Sequence, residues 1–143
     1  MMRIAVDAMG GDRAPGVVVD GAVLAAREYG IEIALVGCRE AIEEELARHS
    51  IRDLSIKLVP ASQTIAMDES PTSTLRKKDS SMRVAFDLMK QGGARAVVSA
   101  GNSGAMMATG MFVMRNLPGV ERPAILVVIP SSGGARMQEG IHS

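Results

Sequence analysis

The stretch that most constrains this chain is Ala96-Val97-Val98-Ser99-Ala100-Gly101-Asn102-Ser103-Gly104-Ala105-Met106-Met107. An apolar, β-branched run stops at a serine, breaks on Gly101-Asn102-Ser103-Gly104 and continues into residues that favour helix. This order predicts a buried strand feeding a helix N-terminus through a turn of small residues. First-turn amides have no partner inside their own helix, and the helix dipole favours negative charge beside them. The junction is therefore a candidate cradle for a phosphate-sized anion. Gly and Asn are also ordinary turn residues, and the same four residues suit a plain tight turn. Local spacing leaves both readings open.

The same alternation runs through the rest of the chain. Arg3 to Asp7 predicts a first strand, and the loop Ala8-Met9-Gly10-Gly11-Asp12-Arg13-Ala14-Pro15 follows it, with Pro15 placed to open a helix at its first position. Apolar positions from Val17 to Glu28 predict a helix that Gly30 ends. Ile31 to Val36 is a second strand, Glu40 to His49 an amphipathic helix, and Leu54 to Val59 a third strand stopped by Pro60. Ala61 to Asp79 is polar and reads as a mobile loop with an ill-defined helix start. Ser81 to Gln91 is helical, closed by Gly92-Gly93, and the helix after Gly104 runs to about Asn116, ended by Leu117-Pro118-Gly119. Pro123 to Ile129 is a fifth strand. Strands alternating with helices across short Gly/Pro/Asn turns predict an α/β fold with a mostly parallel sheet and helices on both faces, three layers in all. Ligands in such sheets sit at the carboxyl ends of the strands.

Ser131 to Ser143 shows no periodicity and few apolar anchors. We therefore read residues 1–130 as one α/β unit, incomplete as a domain, and 131–143 as an atypical polar tail on a truncated chain.

Composition narrows the function. The 143 residues carry no formal net charge, which speaks against a polyanion as the main partner, so no nucleic acid is expected. One cysteine, Cys38, excludes an internal disulfide and a multi-cysteine zinc site. It follows a strand near the ligand edge, but no histidine neighbours it to activate a thiolate. The N-terminal stretch has no long apolar core of a secretory signal, and Gly104 to Met114 falls far short of the roughly 20 residues a membrane span needs. Eleven methionines against two phenylalanines and one tyrosine point to an aliphatic core in which Met fills gaps.

Three stretches can meet in one site. Asp7-Ala8-Met9-Gly10-Gly11-Asp12 leaves a strand with two acids around a flexible loop. Thr74-Leu75-Arg76-Lys77-Lys78-Asp79-Ser80-Ser81 sets three cations beside hydroxyls, although a charge run is commonly just a solvated segment. The Ser99 to Gly104 turn is the third. Phosphate recognition wants such backbone amides, hydroxyls, a forked guanidinium and a mobile ammonium. Two acids near glycines also admit a metal, but no histidine or further spaced carboxylate supports one, and no metal is expected.

In this order the stretches resemble the phosphate acyltransferase (PlsX) family of bacterial phospholipid synthesis. The resemblance rests on Asp7-Ala8-Met9-Gly10-Gly11-Asp12 with Ala14-Pro15, on Met67-Asp68 and Pro71 leading to Leu75-Arg76, and on Lys77-Lys78-Asp79-Ser80-Ser81-Met82. It continues through Val98 to Ala105 and Gly119-Val120-Glu121-Arg122-Pro123-Ala124. It implies an isopropylmalate dehydrogenase- or phosphotransacetylase-like, Rossmann-like fold. It also implies transfer of an acyl group from acyl carrier protein to inorganic phosphate, without metal or nucleotide cofactor. The expected setting is a cytoplasmic homodimer with peripheral membrane association. For this chain it suggests phosphate binding by Gly101, Asn102, Ser103, Gly104, Arg76, Lys78, Ser80 and Ser81. Asn102, Ser103 and Lys78 are the catalytic candidates, and Asp7, Gly10, Gly11 and Asp12 form the supporting loop. Members of that family are much longer. The Asp-Gly-Ala-Asn stretch that they carry after the strand following Arg122-Pro123 is absent, and the Arg76 to Asp79 segment is one residue shorter than the commoner pattern.

Two rivals stand beside this reading. A nucleotide-dependent oxidoreductase shares the fold class, but no Gly-x-Gly-x-x-Gly follows the first strand and no Walker-type glycine-lysine loop occurs. The other is a non-catalytic fragment that only oligomerises or binds carrier protein.

Overall fold

The computed structural model describes residues 2–114, 125–131 and 134–140. Four strands, β1 (Arg3–Asp7), β2 (Glu32–Gly37), β3 (Ile56–Pro60) and β4 (Ala96–Val98), form an all-parallel sheet in the order β3-β2-β1-β4. In register, Ala5 lies beside Ala34 of β2 and Val97 of β4. β2 sits between two neighbours and reads as an unbroken buried run from Ile33 to Gly37, as an interior parallel strand should.

Helices cover both faces, so the expected three layers are present. Ile4, Val6, Ala8, Ile33 and Leu35 point to one face and pack against α1 (Gly16–Tyr29) and α2 (Arg39–Leu46) through Val19, Ala22, Val23, Ala26 and Ile42. Ala5 and Val36, one residue out of phase, point to the other face and meet Ala85, Val84, Leu88 and Met89 of α4 (Ser81–Lys90). α5 (Ser103–Met114) packs on α4, where Met82, Phe86, Ala105 and Val113 form a third cluster. This alternation decides the site, because Asp7 shares its face with Ala5 and so looks toward the start of α4.

Several local expectations are refined. α1 begins at Gly16, with Pro15 one place before it, and Gly30 ends it in the left-handed region at φ 63°. Pro60 closes β3 rather than stopping it earlier; β3 lies at an edge of the sheet, where a missing N–H breaks no ladder. The polar stretch read as a mobile loop contains α3 (Pro71–Arg76), opened by Ser70, whose side chain accepts from the Ser73 N–H, and by Pro71 in the first turn. That start carries cap chemistry without apolar periodicity, and a search for periodicity passes over it. β5 (Ile125–Ser131) does not join the parallel sheet. It pairs antiparallel with β6 (Gly134–Gly140), so most of the stretch read as an aperiodic tail is strand. Backbone pairing needs no apolar alternation, which explains the missing signal. The expected helix end at Leu117-Pro118-Gly119 and the Gly119 to Ala124 motif lie outside the described residues.

Candidate functional site

The order β3-β2-β1-β4 places the direction change of the sheet between β1 and β4. The chain moves outward from β1 through β2 to β3, then returns past β1 to lay down β4 on its other side. Loops leaving β1 and β4 part at such a point and open a crevice at the carboxyl ends of the strands. The Asp7 to Asp12 loop and the Ser99 to Gly104 turn are those two loops.

Asp7 ties them together from below. Its carboxylate is buried and accepts from the Ser81 hydroxyl at 2.5 Å, the Ser99 hydroxyl at 2.9 Å and the Met9 N–H at 3.2 Å. A buried carboxylate is costly unless its lone pairs meet donors; here the donors come from α4, from the end of β4 and from its own loop. Ser99 passes the connection on, since its Oγ also accepts from the Gly101 N–H at 3.1 Å. A Cβ on Gly10 would lie 2.8 Å from Asp7 Oδ2 and 2.9 Å from both Gly101 N and Ser99 Oγ, so the two loops touch backbone to backbone. Gly11, at φ 104° against the Ala100 carbonyl, turns the first loop away in a conformation that side chains disfavour.

Above this clamp lies the N-terminus of α5. Asn102 caps it: Oδ1 accepts from the Ala105 N–H at 3.1 Å. The two amide hydrogens of Asn102 go to the carbonyls of Ala66 at 3.2 Å and Glu69 at 2.7 Å. Its carboxamide is thus engaged by protein at every donor. Ser103 and Gly104, the next two residues, are exposed, and their first-turn amides have no acceptor among the described residues.

The remaining sequence candidates divide. Ser81 is bound to Asp7, and Ser80 is wholly buried as the N-cap of α4, its Oγ accepting from the Arg83 N–H at 3.0 Å. Both hold the site's frame rather than face its opening. Arg76, Lys78 and Asp12 are exposed, and no described residue pairs with them. Two residues in this region escaped the candidate set. Ser99 bridges the two loops, its signal being a hydroxyl at a strand's carboxyl end. Lys77, one of the three cations of the Thr74 to Ser81 stretch, turns inward to the Thr64 carbonyl at 2.8 Å and the Glu69 carboxylate at 2.7 Å. The Lys77 ammonium is the main reason the Glu69 carboxyl sits below its ordinary value, with hydrogen bonds from Ala66 and Ser73 assisting. Asp79 is lowered in the same sense by the hydroxyl and N–H of Ser62, which fasten it to the segment after β3.

A second concavity of about 540 Å³ opens along the same edge, lined by Cys38, Arg39, Pro60, Ala61, Ser62 and Asp79. Among the described residues no group of three or more His, Cys, Asp or Glu side chains is placed to hold a metal ion. None of the described helices is long and apolar enough to cross a membrane.

Fold and site together define an α/β protein of Rossmann-like topology whose crevice offers backbone amides and hydroxyls. A family profile described as fatty acid synthesis protein matches residues 2–137, and the chain belongs to that family. Its relatives carry an acyltransferase name. The chain is 57% identical over 134 residues to the phosphate acyltransferase of Geobacter sulfurreducens, covering 93% of this chain and 39% of that protein. It is 56% identical over 134 residues to that of Geotalea daltonii, with the same coverage. For the phosphate acyltransferase of Nitratidesulfovibrio vulgaris the identity is 54% over 129 residues, covering 90% of this chain and 37% of that protein. The chain therefore spans about two-fifths of the length of these relatives.

Proposed function

We propose that this chain carries the phosphate-holding part of an acyltransferase that forms acyl phosphate from acyl-[acyl carrier protein] and inorganic phosphate, a step of bacterial phospholipid synthesis. The observation that carries the reading is the α5 N-terminus: two exposed residues whose first-turn amides have no acceptor among the described residues, set on a turn clamped to the carboxyl edge of the sheet. The name shared by the relatives supports the acyltransferase class.

The chemistry suits such a site. A phosphate oxygen attacks the thioester carbonyl, the C–S bond breaks, and the carrier thiolate leaves and takes up a proton. Phosphate is already nucleophilic near neutral pH, so the protein's work is to hold the anion close and stabilise developing charge with fixed donors. The amides of Ser103 and Gly104 and the Ser103 hydroxyl are assigned to phosphate, with Arg76 and Lys78 as exposed cations able to close on it. Gly101 and Asn102 shape the turn; Asp7, Gly10, Gly11, Ser80 and Ser81 hold its frame. Acyl carrier protein is the donor partner. A homodimer in the cytoplasm, in peripheral contact with membrane, is the working form.

The direct test is acyl phosphate formation by the purified chain supplied with acyl carrier protein thioester and phosphate. Turnover that falls on Asn102→Ala through a raised KM for phosphate supports the reading. A folded chain that binds phosphate but does not turn over favours a non-catalytic, carrier-binding or oligomerising piece. A folded chain indifferent to phosphate removes the anion site.

A further inference from the structure

Residues 64–70 cross the start of α5 as a strap held from two sides. From one side, Lys77 at the C-terminal end of α3 donates to the Thr64 carbonyl and to Glu69 Oε1. From the other, both amide hydrogens of Asn102 reach the carbonyls of Ala66 and Glu69. The strap is closed internally as well. Glu69 Oε1 accepts from the Ala66 N–H at 3.3 Å, Oε2 accepts from the Ser73 hydroxyl at 3.1 Å, and the Glu69 N–H donates to the Ala66 carbonyl at 3.1 Å. Glu69 thus joins the two grips: its carboxylate belongs to Lys77 and its carbonyl to Asn102.

From this geometry we infer that Lys77 is a positioning residue, acting through Glu69 and the strap to fix the Asn102 side chain and hence the first turn of α5. The inference rests on the reading of that turn as the anion site and supplies what sets its geometry. Asn102 has one carboxamide. While its two hydrogens hold the strap, its oxygen is turned to the Ala105 N–H, the capping orientation that orders the first turn. Release of the strap frees the carboxamide to rotate, and the cap is then lost along with the alignment of the Ser103 and Gly104 amides. The described bonds of the Lys77 ammonium go to the strap, to the Thr64 carbonyl and the Glu69 carboxylate, and none goes to α5.

The test uses the whole chain, with inorganic phosphate as the probe. Lys77→Met keeps the aliphatic stem and removes the ammonium; Lys77→Arg restores a cation, and Glu69→Gln attacks the other partner. Hydrogen exchange at the Asn102 carboxamide and the Ala105 amide reports on the cap, and titration reports phosphate affinity. We expect Lys77→Met and Glu69→Gln each to speed exchange at both positions and to weaken phosphate by about fivefold, the scale of one lost partly exposed pair. Lys77→Arg should recover most of both. Wild-type exchange and affinity in Lys77→Met and Glu69→Gln would overturn the inference. Faster exchange in these variants, in a chain whose wild type ignores phosphate, would uphold the mechanical coupling and sink the anion reading instead.

Discussion

The clamp around Asp7 and the strap across residues 64–70 hold the same turn from opposite sides, one in the interior and the other near solvent. Asp7 is a buried acceptor that gathers hydroxyls from two elements distant in sequence, Ser81 and Ser99. With little water to substitute, each lost partner leaves a polar group stranded. The Lys77–Glu69 pair joins partly exposed charges within one stretch of chain, where water can replace either partner. The clamp should therefore govern whether the crevice exists, and the strap how finely it is set.

Variants can break this contrast, and the largest effect belongs to the interior. Asp7→Ala removes the acceptor shared by two hydroxyls and the Met9 N–H, and should cost about 3 kcal/mol in urea unfolding. A loss comparable to that of Lys77→Met would erase the distinction. Gly10→Ala comes next, at about 1–3 kcal/mol, because its Cβ would sit within 2.9 Å of backbone and clamp atoms and must part the two loops. Phosphate affinity should fall with it, since Gly101 is the residue pushed. Ser99→Ala should cost about 1 kcal/mol, read by the same unfolding midpoint, as it takes a hydrogen bond from both Asp7 and Gly101.

The smallest effect is a pH dependence confined to the strap. In the folded chain the Glu69 carboxyl lies below its ordinary value of 4.5, chiefly because Lys77 donates to it. A depressed carboxyl contributes stability that is fully present above the unfolded value and lost as pH falls through the folded one. Exchange at the Asn102 carboxamide, corrected for intrinsic rate, should accordingly stay protected down to about pH 4.5 and rise below it. In Glu69→Gln this step should disappear. A step surviving that substitution would assign the strap's titration to another group.

Much of the fold was legible because parallel α/β architecture writes itself in local terms. Buried strands such as Ile33 to Gly37 are short apolar runs, and α1 ends on a glycine whose backbone sits where only a missing Cβ is comfortable. What escaped were elements that carry no such pattern. α3 starts from a serine cap and a proline, and β6 is held to β5 by backbone pairing. The candidate site was legible as three stretches, but the work of each side chain was not. Asn102 reads as a free amide and is fully engaged by the carbonyls of Ala66 and Glu69; Lys77 is indistinguishable in sequence from its neighbours Arg76 and Lys78, yet alone turns inward. Contacts between residues 33 and 36 positions apart, such as those of Asn102, have no periodic signature.

Sequence alone determined the alternation of strands and helices, the small-residue turns at strand ends and the family to which their order belongs. Each depends on near neighbours: side-chain period, cap chemistry and the freedom of glycine. Tertiary structure alone decided that β4 lies beside β1, that Asp7 faces Ser81 and Ser99, and which polar groups remain open at the α5 N-terminus. The reason is that a hydrogen-bonding side chain takes whichever partner the packed fold brings within about 3 Å, and packing, not spacing along the chain, chooses that partner.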